Sequence, residues 1–309
     1  MAQLILTSLY MGLVVFLMGV VCGGPLLSVI EEFRAWRWRT RFKDKLAQQT
    51  ARMSIVAFFC LFIVLGATFV SYFLLQKSSV ERFLVKFVPG HWFPLILWGT
   101  GIVFLFIYYL TWKHLKKSKF WHWCLGLLGM LAFWMGLFSS VNLILRLLLI
   151  KQLQLFSNCY WMCLLLDVKI HSLWPLLGQF VLIALGGSGA LAANYLLMRR
   201  EKDDFGRDYY RSSLYSVVKW AFIFAANIIC LLVFMYFTTE SYQFLLHYAR
   251  LVPLLLFLVF IILPVVLWGF ILKSENPMRN KVSIVSSLFS SWLALSSLFL
   301  YYYQVLNAL

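Results

Sequence analysis

LVPLLLFLVFIILPVVLWGFIL, residues 251–272, runs for 22 residues without a charged side chain. An α-helix needs roughly 20 apolar residues to cross a hydrocarbon layer about 30 Å thick. Inside lipid, every backbone N–H and C=O must find its partner within the segment, so such a stretch reads as a transmembrane helix. Seven further long apolar stretches share the chain with it, at 3–30, 53–76, 92–112, 121–150, 172–198, 214–238 and 283–306. The expected fold class is an all-α polytopic membrane protein with eight transmembrane helices.

The charges between these stretches are unevenly divided. Segments 31–52, 113–119, 199–219 and 273–281 hold 20 of the 27 Lys and Arg residues. The other seven are Lys77, Arg82, Lys86, Arg146, Lys151, Lys169 and Arg250. The bias of Lys and Arg towards cytoplasmic loops puts the basic segments inside and both termini outside. Residues 1–30 read as a retained first helix, because their basic cluster follows the apolar run and no A-x-A-like cleavage site ends it.

Apolar residues make up 63% of the chain, charged residues 12%, and the mean hydropathy is +0.86. This leaves almost no sequence for a separate water-soluble domain. The net charge of +16 is spread over helix ends rather than gathered on one face. It fits topology and contact with anionic membrane lipid, and nucleic acid is not an expected partner.

The sequence echoes itself. FLMGVVCGGPLLSVIEEFR (16–34) parallels LIALGGSGALAANYLLMRR (182–200), aligning Gly23-Gly24 with Gly186-Gly187. Ser54-Ile55-Val56 parallels Ser216-Val217-Val218, and Pro94 and Pro253 each open the third helix of a half. Two repeated four-helix bundles are expected, over residues 1–150 and 151–309. The glycine pairs mark places where the first and fifth helices can approach their neighbours closely. Outer loops are short, so anything bulky on that face must come from another chain.

Five histidines are the candidates for cofactor chemistry. His114 and His122 lie among lysines in KHLKKSKFWHW (113–123) and are expected to be solvated. His91, His171 and His247 stand at the outer starts of the third, fifth and seventh helices. Imidazole is a usual axial ligand of b-type haem, and haem ligands in a bundle come from facing helices. The same three residues, beside Trp92, Trp174 and Tyr248, also suit an interfacial aromatic belt. Both readings stand on the sequence.

Other polar groups restrict function more than they suggest it. Cys159 and Cys163 could be bridged on the outer side, although an i, i+4 spacing suits a disulfide poorly. Cys22, Cys60, Cys124 and Cys230 read as apolar filler within helices. Glu31 and Glu32 are expected to end the first helix at the membrane surface, and Arg146 has Asp167 or Glu240 as possible partners. No carboxylate stands at mid-membrane, where ion-coupled transporters keep them. No nucleotide loop, nucleophile elbow or pair of catalytic acids is present, so no catalytic residue is assigned.

Several phrases resemble subunit I of the cytochrome bd-type quinol oxidases, over roughly residues 5–305. These are SLYMGLVVFLMG with EEF in the first helix and FPLILWGTGIVFLFIYYLTWKHLKK (93–117) in the third. WCLGLLGMLAFWMGLFSSVN (123–142) and ANYLLMRREKDDFGRDYYRSSLYSVV (193–218) continue the likeness. The resemblance implies a respiratory complex of the bacterial inner membrane, with haem and quinone. It also implies a low-spin haem b whose ligand positions fall near His171 and His247, with His91 as a reserve. The chain departs from the family pattern where oxygen is reduced. Tyr10-Met11-Gly12-Leu13 stands where a haem-ligating histidine is expected, and Leu97, Trp98 and Phe106 stand where helix 3 carries glutamates. The large outer quinol-binding loop is missing.

The expected function is electron exchange between membrane quinone and an outer-face redox protein, within a complex of several subunits. The alternatives are a cofactor-free membrane anchor or assembly subunit, or a transporter with an internal repeat.

Overall fold

The computed structural model describes residues 2–75, 92–149, 174–203, 205–238 and 251–306. Among them are eight long helices: α1 (Ala2–Trp38), α2 (Arg41–Leu75), α3 (Trp92–Leu110), α4 (Lys119–Leu149), α5 (Trp174–Arg199), α6 (Arg207–Thr238), α7 (Leu251–Lys273) and α8 (Lys281–Leu306). All eight are long and apolar enough to cross a membrane, and no strand occurs among the described residues. Large apolar side chains cover their outer faces: Phe62, Ile63, Val252, Val266 and Phe270 are each more than half exposed. In water this would be a liability; against lipid tails it is the expected surface.

The main departure from expectation is segment 31–52, which is helical almost throughout. α1 runs on to Trp38, and α2 starts at Arg41. Glu, Arg, Ala and Lys are good helix formers, and Arg34 pairs with Glu31 one turn back at 2.7 Å. The reversal falls on Arg39, whose φ of 51° is a left-handed value that ends the helix. At the α5–α6 turn, Gly206 takes φ 82°, which a glycine adopts without strain.

The chain forms two compact units, residues 1–57 with 177–309, and residues 58–176. In the first unit, α1 packs on α8, α8 on α7 and α7 on α6. Lipid tails are as apolar as leucine, so hydrophobic burial does little to hold membrane helices together; close van der Waals contact and buried hydrogen bonds do. Small residues supply the contact. An added Cβ on Gly12 would fall on Ser296 of α8, and one on Gly23 on the Ala184 carbonyl of α5.

Each glycine pair is used in both directions. Gly24 meets Ser54 of the next helix, α2, and Gly186 meets Phe224 of its next helix, α6. Gly23 faces α5, while Gly187 faces Phe16 of α1. Hydrogen bonds complete the packing. Asn194 donates to the Ile284 carbonyl at 3.2 Å, Ser290 to Phe260 at 2.9 Å, and Trp292 to Leu9 at 3.1 Å.

The second unit is dominated by the α3–α4 hairpin and the end of α2, and aromatic rings do most of its packing. Phe133 of α4 meets Trp98 at 5.6 Å and Phe58 at 6.0 Å, and lies against Gly101. Phe106 packs edge-on against Phe59. Trp98 also donates its indole N–H to Ser140 at 3.1 Å. The two α3 positions that hold Trp98 and Phe106 are therefore filled by packing aromatics.

Candidate functional site

The polar groups of the first unit gather at its basic end, where α1, α2, α5 and α6 meet. Gly24, Ser28, Glu31 and Ala35 follow one another at three- and four-residue steps, so they share a face of α1. All four are buried, and Glu31 and Ser28 are fully so. Ser28 donates to the Ala47 carbonyl of α2 at 2.6 Å.

One oxygen of Glu31 accepts three bonds: from Arg34 at 2.7 Å, Ser216 at 3.1 Å and the Trp220 indole at 3.2 Å. Arg34 lies over the Trp220 ring, 5.3 Å from its centre. The other carboxylate oxygen, Oε2, is buried without a protein partner. Glu32 is buried as well. The expectation that these two carboxylates end the helix at the surface is corrected. Because α1 continues for two more turns, Glu31 is held against α6.

A second network joins α2 to the α5–α6 turn. Asp203 receives two bonds from Arg199, at 2.7 and 2.8 Å, and a longer one from Gln49 at 3.4 Å. Tyr209 donates to Gln49 at 2.6 Å, and Tyr210 donates to the Asp203 carbonyl at 2.6 Å. Phe42 and Phe205 pack edge-on against Tyr209, and the Lys45 ammonium sits over Phe205 at 4.2 Å. Together these bonds fasten four helix ends that all carry positive charge.

The histidines are placed as follows. His114 is exposed, as expected. His122 is not solvated: it is 3% exposed, stacked on Tyr108 at 4.4 Å, edge-on to Trp112 at 4.7 Å, and bonded to the Tyr108 carbonyl at 2.8 Å. The α3–α4 hairpin folds it against two aromatic rings, which composition alone does not reveal. His91, His171 and His247 lie outside the described residues, as do Cys159, Cys163, Asp167 and Glu240. Among the described residues, no group of three His, Cys, Asp or Glu is placed to hold a metal ion. Cys22 is buried, while Cys60 and Cys230 face outward from their helices.

Sequence reasoning missed Gln49, Asp203 and Tyr209 altogether and misplaced Glu31. For Glu31 a signal was present: it is the one large side chain on an otherwise small face of α1. The Gln49–Tyr209–Asp203 contacts join residues more than 150 positions apart and leave no local signature.

No protein-family model matches the sequence, and no curated protein matches it. By three-dimensional structure the chain is similar to a chain of the bd oxidase from Geobacillus thermodenitrificans, with a TM-score of 0.64. The fold is of the bd-oxidase type. The match covers 97% of this chain and 85% of that one at 12% sequence identity. With 97% of 309 residues set against 85% of that chain, the matched chain is about 350 residues long.

Proposed function

We propose that this protein is an integral membrane subunit of a bd-oxidase-type respiratory complex in a bacterial inner membrane. The observation that carries the proposal is the likeness in fold over 97% of the chain. The repeated glycine pairs support a further element, two related four-helix halves over residues 1–150 and 151–309. In the fuller form of the proposal, the subunit exchanges electrons between membrane quinone and a redox protein on the outer face. Haem b would then be held by His171 and His247, with His91 in reserve. Two imidazoles are a donor set that low-spin haem b takes, and they leave no open coordination position for oxygen.

The second reading is a cofactor-free anchor or assembly subunit of the same complex, and two observations favour it. The matched chain exceeds this one by only about 45 residues, little room for a large quinol loop and further helices. The described helices of the first unit also meet at glycine contacts too close to admit even a methyl group.

The visible spectrum of the purified protein separates the two readings. A reduced α-band that disappears in His247→Ala, with the variant still folded in the membrane, supports the electron-transfer form. A parent protein without Soret absorbance, purified from haem-replete cells, leaves the anchor form.

Topology is tested separately. A reporter active only in the cytoplasm, fused after Leu309, is expected to be silent, because the 20-to-7 charge division puts the termini outside. An active fusion would reverse the orientation or change the number of spans.

A further inference from the structure

We infer that the basic end of the first unit carries a binding site for the headgroup of an anionic phospholipid. The site is a half-open pocket of about 220 Å³ between α2 and α5, lined by Arg52, Val56, Tyr195, Met198, Arg199 and Lys202. It does not depend on the function proposed above.

Helical register builds the pocket. Arg52 and Val56 are one turn apart on α2, and Tyr195, Met198 and Arg199 share a face of α5, which Lys202 extends just past the helix end. The depth is right for a headgroup. Arg52 is the last charged residue before the apolar run 53–75 of α2, and Arg199 is the first after the apolar run 174–198 of α5. The cations therefore mark the rim of the hydrocarbon layer on the basic side. Val56 and Met198 are 49% and 73% exposed. They offer a lipid-facing track along which an acyl chain can lie once its phosphate is held at the rim.

Charge supports the same occupant. Arg199 already gives two N–H groups to Asp203, so that pair is close to neutral. Arg52 and Lys202 are exposed, and they add two positive charges over an apolar wall. A free anion would use the charge but not the wall, and a neutral lipid the wall but not the charge. Basic pockets between transmembrane helices on the cytoplasmic side suit anionic headgroups. The volume lies below the roughly 300–1,000 Å³ of pockets that enclose drug-sized ligands, so a headgroup fits better than a macrocycle.

The test uses the full chain in nanodiscs of phosphatidylcholine doped with labelled phosphatidylglycerol, and reads retention of the label. The double variant R52Q/K202Q is expected to retain it about 30-fold less tightly, from roughly fivefold for each cation. R52Q and K202Q singly are each expected to lose about fivefold, a check should the double variant fold poorly. R211Q/R279Q removes the same charge from exposed positions that do not line the pocket and is expected to change retention less than twofold, on the order of a screened surface charge. Equal losses in the two double variants would mean a diffuse surface field and overturn the site. Unchanged retention in R52Q/K202Q would do the same. Inorganic phosphate displacing the label as well as unlabelled phosphatidylglycerol does would make this a free-anion site and overturn the lipid assignment.

Discussion

Gly23→Val is expected to be the most damaging single substitution in the first unit, with loss of folded protein from the membrane. A Cβ at this position would overlap the Ala184 carbonyl and stand 2.6 Å from Ser188 Oγ. The obstacle is backbone, which cannot swing aside as a side-chain end can. Overpacking a close contact typically costs about 1–3 kcal/mol, and here α1 must move bodily away from α5. That movement also loosens the neighbouring contact of Gly24 on Ser54. Gly99→Ala is the matched control, because an added Cβ there meets nothing within 4 Å. It should be neutral, or stabilising by roughly 0.5–1 kcal/mol through helix propensity. Accumulation and thermal stability in detergent give the comparison. If Gly23→Val survives as well as Gly99→Ala, the helix contact drawn here is wrong.

Glu31→Ala should be nearly as harmful, for an electrostatic reason. One carboxylate oxygen satisfies a guanidinium, a hydroxyl and an indole N–H. Removing one partner of a buried charged pair costs about 3–5 kcal/mol. Arg34 is about a third exposed, so water relieves part of this, and roughly 2–3 kcal/mol is the expected loss. Glu31→Gln keeps an acceptor for those donors and should lose about half as much. The midpoint of thermal unfolding in detergent should therefore rank parent, Gln variant and Ala variant in that order. A Glu31→Ala protein as stable as the parent would show that the carboxylate does not join α1 to α6.

The positions of the helices were legible in the sequence because lipid imposes a strong rule. A segment that cannot hydrogen-bond to its solvent must be helical, and its length must match the membrane. Uncharged runs such as 251–272 and 172–198 therefore delimit α7 and α5 to within about two residues. The glycine pairs were also legible as close contacts, since glycine in a membrane helix otherwise has little reason to recur. Segment 31–52 was not. It is charged, so membrane length does not govern it, and only good helix formers and the turn at Arg39 set its ends.

The tertiary structure alone decided which helix faces meet. It put Glu31 against Ser216 and Trp220, His122 between Tyr108 and Trp112, and Gln49 within reach of Tyr209 and Asp203. Membrane insertion depends on the summed apolarity of each segment, a local quantity that can be read along the chain. Burial of a polar group depends on which partner faces it across a helix interface. That choice is made by contacts of a few ångströms between residues as much as 283 positions apart, and no single segment encodes it.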